Sequence, residues 1–315
     1  MVALSDSAAP AQAFHLHRQA QAQRARVLSM LLIELGPDYS IALRRAPDLR
    51  QACEEAWGTA GKATTGWVCA MRELLGVVSA HEWRKKGIAL AALGDAPANR
   101  IHPHYGVFSP VRGEYADLVA NAPLPKSAAP LLAFDIGTGT GVLAAVLARR
   151  GVARVVATDT DPRALACASE NLTRLGLADR VEVRQADLFP EGRASIVVCN
   201  PPWLPARASS PLEHAIYDEG SRMLLGFING LAAHLTPGGE GWLILSDLAE
   251  HLGLRTRASL LAAISAAGLL VAGRVDVRPT HPKASDPADP LHQARAREMT
   301  SLWCLKVANP ESASP

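Results

Sequence analysis

The chain has 315 residues, 49% hydrophobic and 20% charged, enough to fill one large or two ordinary cores and too apolar for a disordered segment. Lysine and arginine total 32 against 30 acidic residues, a net charge of +2, which excludes a surface coated for wholesale nucleic-acid binding but leaves room for a local basic patch. The five cysteines are scattered without a CxxC pair and read as small buried apolar groups in a reducing compartment.

From about residue 14 to residue 95 the pattern is helical. Apolar positions from Gln19 to Leu35 recur near helical spacing until Gly36-Pro37. Residues 47–57, 67–78 and 81–93 continue in the same way, with Gly58, Gly61 and Gly66 as breaks. The apolar run Val27–Ile33 is far shorter than the roughly 20 residues a membrane span needs, and the start of the chain has no secretory layout. A soluble, cytoplasmic protein without membrane association is expected. Residues 101–112 are too proline-rich and aromatic for a helix and read as an extended connector or hairpin. His102 and His104 lie there without a third ligand, so no metal is expected. A helix over 113–122 and a loop over 123–130 follow.

The remainder alternates as βαβ units. The spacing predicts strands at 131–136, 154–159, 180–186, 195–200, 241–246, about 270–278 and 300–307. Helices are predicted at 141–150, 162–175, about 221–235 and 255–267. The last two strands are separated by the polar segment Pro279–Glu298, and Pro310–Pro315 has no packing pattern.

The first of these strands breaks into Asp135-Ile-Gly137-Thr138-Gly139-Thr-Gly141 and then enters a helix. Alternating glycines remove the Cβ atoms that would block a tight turn and the approach of a nucleotide-like ligand. The dinucleotide fingerprint wants a third glycine where Val142 stands. Asp159 ends the second strand, where a ribose-binding carboxylate belongs, and Asp187 follows the third. Ribose binding serves NAD and S-adenosylmethionine equally. Asn200-Pro201-Pro202-Trp203 after the fourth strand separates them, since a nicotinamide enzyme has no use for it.

Asp135–Gly141, Thr158-Asp-Thr-Asp161, Ala186-Asp-Leu-Phe189 and Asn200–Trp203 together resemble the motif series of class I S-adenosylmethionine-dependent methyltransferases. The closest likeness is to the group that methylates planar nitrogens, including release-factor glutamine and adenine-N6 or guanine-N2 base methyltransferases. It covers roughly residues 100–309. The resemblance implies a Rossmann-like α/β fold with a seven-stranded, mostly parallel sheet, preceded by a small all-helical domain. The expected division is 1–96 helical and substrate-binding, 97–129 connector, 130–309 methyltransferase domain and 310–315 tail.

In that reading Asp135, Gly137, Thr138, Gly139 and Gly141 hold the methionine end of the cofactor. Asp159 takes the ribose hydroxyls, while Asp161 before Pro162 caps the next helix. Asp187 takes the adenine amino group, with Leu188 and Phe189 along the ring. Asn200, Pro201, Pro202 and Trp203 are the catalytic set. The Asn200 side-chain oxygen and the Pro201 carbonyl accept from the two hydrogens of a planar nitrogen, and Trp203 offers a flat face. Tryptophan there, and Ser109-Pro-Val-Arg112-Gly-Glu-Tyr115 in place of the release-factor enzymes' upstream segment, depart from the family. Phe108 and Arg112 are candidates to face the cofactor.

The substrate is expected to be a macromolecule. The helix-first layout favours a protein glutamine. Trp203 and the basic set His281, Lys283, His292, Arg295 and Arg297 favour a nucleic-acid base. A small-molecule amine and a catalytically silent SAM- or RNA-binding module are the alternatives.

Overall fold

The computed structural model describes residues 10–61, 65–126, 131–208, 213, 215–280 and 286–308. Helix α1 (Pro10–Leu28) ends in a turn at Ser29 and Met30, and β1 (Leu32–Leu35) follows. After α2 (Arg50–Trp57), β2 (Trp67–Ala70) pairs antiparallel with β1 and runs straight into α3 (Met71–Lys86). The N-terminal part is therefore helical as expected, but it is not all-helical. Residues 32–35 and 67–70 carry helix-compatible spacing yet form a ribbon, because pairing satisfies their backbone groups and drops Leu35 onto Cys53, Leu74 and Val77. Of the stretches read as separate helices at 67–78 and 81–93, residues 71–86 form one helix, α3, and residues beyond it do not continue the helix to 93. It stops at Gly87, whose φ of 68° suits glycine.

A short pair, β3 (Ile88–Ala89) with β4 (Arg100–Ile101), forms the connector and leads to α4 (Glu114–Asn121). Then come β5 (Leu132–Ile136), α5 (Val142–Arg149), β6 (Arg154–Asp159), α6 (Pro162–Arg174), β7 (Val181–Gln185) and β8 (Ala194–Cys199). The chain continues through α7 (Arg222–His234), β9 (Leu235–Ser246), α8 (Leu248–His251), α9 (Arg257–Ala266), β10 (Leu269–Val277), α10 (His292–Arg295) and β11 (Thr300–Val307). β9 starts earlier than the predicted 241, because residues 236–239 bulge out between the pairings Ala194–Leu235 and Ile196–Glu240.

The sheet order is β10-β11-β9-β8-β5-β6-β7, with only β11 antiparallel to its neighbours. Strands alternate between two buried faces. Ile196, Val198, Trp242 and Ile244 pack toward α4 and α5, while Val197, Cys199, Leu243 and Leu245 pack toward α7 and α9. The chain leaves β5 toward β7 and returns to β8 on the other side. That reversal opens a crevice between the carboxyl ends of β5 and β8, where α/β sheets bind ligands. Among the described residues no helix is long and apolar enough to cross a membrane.

Gly141 joins this sheet to its helices. Its φ is 81°, and a Cβ there would stand 3.2 Å from both Cα and Cβ of Ala168 on α6. Gly141→Ala combines left-handed strain with a clash against backbone, so unfolding stability is expected to fall by about 2–4 kcal/mol. Chemical denaturation checks this. A loss under about 0.5 kcal/mol would mean that α5 and α6 are not held at this contact.

Candidate active site

Ile136 of β5 pairs with Thr158 of β6 and with Cys199 of β8, so these three residues form one row across the sheet. Gly137, Asp159 and Asn200 are the next residue on each strand. They lie at one level on strands spaced about 4.8 Å apart, Gly137 and Asn200 just past their strands and Asp159 as the last residue of β6, still paired with Gln185. The three motifs read separately in the sequence thus meet at the mouth of the crevice.

The glycine turn has φ of 70° at Gly137, 54° at Gly139 and 81° at Gly141, conformations in which a side chain is strained. Thr138 N donates to Thr158 O at 2.8 Å. Thr138 Oγ1 and Ala144 N both donate to Asp135 Oδ2, at 2.6 and 3.0 Å. Asp135 is buried, and burial pushes its carboxyl up to about 6 against the opposing pull of those two bonds; the Asp159 charge adds to the rise.

Asp159 Oδ2 accepts from Gly139 N at 3.0 Å, and its Oδ1 accepts from Asp161 N at 3.0 Å. Asp161 turns away to cap α6, accepting from Arg163 N at 2.9 Å with Pro162 at the first helical position. The turn and Asp159 are therefore one hydrogen-bonded unit.

Asp187 is exposed, and Arg222 Nη2 lies 2.6 Å from its Oδ2. An ion pair this open to solvent is weak and readily exchanged. Leu188 has a φ of 70°, held by Thr158 Oγ1 donating to its carbonyl at 2.6 Å. Its side chain lies against Gly226 of α7. The Phe189 ring stacks on His234 at 4.2 Å and on Phe227 at 5.9 Å, against Gly230. The interior of α7 is apolar at Phe227 and claims the ring.

Pro201 is buried, and Pro202 and Trp203 are half-buried at the end of β8. Trp203 packs on both core layers, and its Nε1 donates to Asn200 Oδ1 at 2.9 Å. The Arg112 guanidinium sits 5.3 Å from the Trp203 ring centre. Arg112 Nε donates to Glu114 Oε1 at 2.8 Å and its Nη2 to Glu298 Oε1 at 3.2 Å. Ser246 Oγ donates to the same oxygen at 2.8 Å. Arg112 thus faces the Asn200–Trp203 segment, while Phe108 packs against the core under α5. Glu298 and Ser246 carry no local signature and are visible only in the fold.

The helix read over Gln19–Leu35 is α1, which starts earlier, at Pro10, and whose packing the sequence did not show. Phe14 is buried with Leu204, Leu248, Leu252 and Leu291, next to the segment that follows Trp203. Arg18 Nη2 donates to Arg207 O at 2.6 Å, and its guanidinium lies 3.9 Å from the Tyr217 ring centre. The first helix therefore packs on the segment that follows Trp203.

His281 and Lys283 lie outside the described residues. Of the rest of the basic set, Arg295 Nε is 3.1 Å from Asp289 Oδ2, and Arg297 Nε donates to Gln293 O at 3.0 Å. His102 and His104 join the two parts of the molecule: His102 Nδ1 contacts Arg84 O at 2.6 Å and His104 Nε2 contacts Glu170 at 2.7 Å. Burial lowers the His104 pKa, and three partners, Arg174, His104 and Arg84, outweigh burial to hold Glu170 at about 2. Among the described residues, no group of His, Cys, Asp and Glu could hold a metal ion.

The residues suit S-adenosylmethionine better than a dinucleotide. A Cβ at Gly139 would meet nothing within 4 Å, so the turn borders open space. Asp159 borders it through its bond to Gly139 N, Asp135 is buried beneath the turn, and Asp187 stands exposed after β7. They favour a ligand with cationic sulfonium and ammonium groups and oppose a pyrophosphate.

The family described as "Methyltransferase small domain" matches residues 98–257. A release factor glutamine methyltransferase from Cereibacter sphaeroides is 36% identical over 160 residues, 46% of this chain and 54% of that one. A ribosomal protein L11 methyltransferase from Pelotomaculum thermopropionicum is 39% identical over 144 residues, 45% and 39% of the two chains. A ribosomal protein uL3 glutamine methyltransferase from Bordetella pertussis is 33% identical over 140 residues, 42% and 47% of the two. The chain spans about half the length of these relatives.

Proposed function

Since the chain belongs to the methyltransferase small-domain family, we propose that it is an S-adenosylmethionine-dependent N-methyltransferase whose acceptor is the side-chain amide of a glutamine in a protein of the translation apparatus. The observation that carries this reading is the row that puts the glycine turn, Asp159 and Asn200 at one level of the crevice. The names of the relatives, two of which act on glutamine, supply the substrate class. Residues 1–96 would contribute substrate binding, with 130–309 as the methyltransferase domain.

When bound, the cofactor supplies a methyl group on a sulfonium, a good leaving group. The chain's own residues do the rest. Asp135, Gly137, Thr138, Gly139 and Gly141 would hold the amino-acid end, Asp159 the ribose, and Asp187 with Leu188 the adenine. Asp187 would exchange Arg222 for the adenine amino group.

An amide nitrogen is a poor nucleophile because its lone pair is delocalised. Two acceptors fixed on its two hydrogens, Asn200 Oδ1 and the Pro201 carbonyl, favour the pyramidal form in which the lone pair is available. Pro201 and Pro202 stiffen the backbone so that the carbonyl needs no reorganisation. The bond formed to the amide nitrogen would replace the carbon–sulfur bond, the departing thioether would be neutral, and the proton the nitrogen then sheds would pass to water from its hydrogen bond with the Pro201 carbonyl, so no ionisable base is required. Trp203 covers the amide.

Purified protein incubated with methyl-labelled S-adenosylmethionine and cell extract tests the acceptor class. Label should become soluble on protease digestion and resist nuclease. Label released by nuclease alone overturns the glutamine reading in favour of a base.

The Asp135 carboxyl adds a pH test. In the free protein it is protonated below about pH 6. A cationic amino group beside it favours the charged form, so binding releases a proton there. Cofactor affinity should fall about tenfold per pH unit below pH 6 and level off above it. Calorimetry in two buffers of different ionisation enthalpy reads both the affinity and the proton. A flat profile from about pH 5 to pH 8 means that Asp135 braces the turn and never meets the ligand's charge.

A further inference from the structure

An asparagine amide can turn over, presenting either its oxygen or its NH2 group in the same place. Only the oxygen can serve a substrate nitrogen that carries hydrogens. The contact between Trp203 and Asn200 bears on that choice, because an indole N–H is a donor with no acceptor capacity. Trp203 Nε1 lies 2.9 Å from Asn200 Oδ1. The turned-over amide would set two donors against each other there.

We infer that Trp203 is a positioning residue whose indole N–H selects the amide orientation that presents Asn200 Oδ1 to the methyl acceptor. A carbonyl oxygen has two lone pairs, so one bond to Trp203 leaves the other for the substrate. The inference rests on the role given to Asn200 under Proposed function and adds a chemical reason for tryptophan at this position. A phenyl ring would supply the flat face but not the donor.

The indole is itself held. Its ring packs on both core layers and lies under the Arg112 guanidinium. Arg112 is tied to Glu114 and Glu298, and Glu298, which is 1% exposed, is tied to Ser246 at the end of β9. A guanidinium over the ring also draws electron density from it and strengthens the N–H as a donor. This line of contacts joins two strand ends, β9 to β8, through Trp203. The acceptor atom is thereby oriented before any substrate arrives.

Four proteins test this: the parent, W203F, N200A and the double variant. The readouts are methyl transfer to a purified bacterial release factor, cofactor affinity by calorimetry, and thermal unfolding. W203F is expected to lower kcat about tenfold with KM for the release factor and cofactor affinity within twofold of the parent. In the N200A background the same substitution should cost nothing further, because its effect passes through the amide. An unchanged kcat in W203F overturns the inference, as does an equal loss in both backgrounds, the mark of a merely structural ring.

If N200A itself turns over normally, the reading of Asn200 fails and the inference fails with it, which separates the two outcomes. A second readout needs no acceptor. The indole 15N–H signal that W203F removes should shift and exchange faster in N200A, and an unmoved signal overturns the bond itself.

Discussion

Replacing Asn200 with alanine is expected to lower methyl transfer by roughly two to three decades while cofactor affinity stays within about twofold. The side chain ends at the mouth of the crevice, bonded to Trp203 and not to the glycine turn. Its removal takes away one of two acceptors that favour the reactive form of the amide nitrogen. A loss of this size is typical when one fixed dipole at the reacting atoms is deleted. Single-turnover kinetics with saturating cofactor isolate the effect. Weakened cofactor binding with normal turnover would move Asn200 from the acceptor side of the crevice to the donor side.

The reverse pattern is expected for Asp159→Ala. The carboxylate already accepts from Gly139 N and Asp161 N. Its remaining lone pairs are available for the two ribose hydroxyls. Alanine removes those acceptors and the bond that ties Gly139 in place. Hydrogen bonds to a charged group contribute on the order of 1–3 kcal/mol, so cofactor affinity should fall at least about tenfold. Asp161→Ala, by contrast, should cost about 1 kcal/mol of stability through the lost cap of α6 and leave affinity unchanged. Calorimetry and thermal unfolding on both variants decide. Loss of affinity in Asp161→Ala alone would assign the ribose to the wrong carboxylate.

The seven-stranded half of the fold was legible because its signals are local. Strands such as Arg154–Asp159 and helices such as Pro162–Arg174 announce themselves by period and by the Asp161-Pro162 start. The ribbon at Leu32–Leu35 was not, because four residues cannot show a period of two against a helix-like background. What decides it is pairing with Trp67–Ala70, far away in sequence. The same limit applies to the site. Gly137, Asp159 and Asn200 each end an apolar strand and could be found one at a time. Arg112 and Glu298 are 186 residues apart, and only the folded sheet brings them to Trp203. Phe14 and Arg18 carry no local signal, and only the fold packs them against Leu204 and Tyr217.

The central claim is that Asn200 and the Pro201 carbonyl deliver a methyl group to a planar amide nitrogen. The most direct measurement is mass spectrometry of a bacterial release factor after incubation with the enzyme and methyl-labelled S-adenosylmethionine, with fragmentation to locate the label. The result expected is one methyl group on the side-chain nitrogen of a glutamine, present with the parent protein and absent with N200A. Label on a lysine amine or a carboxylate would contradict the account, as would unmodified protein with label in nucleic acid.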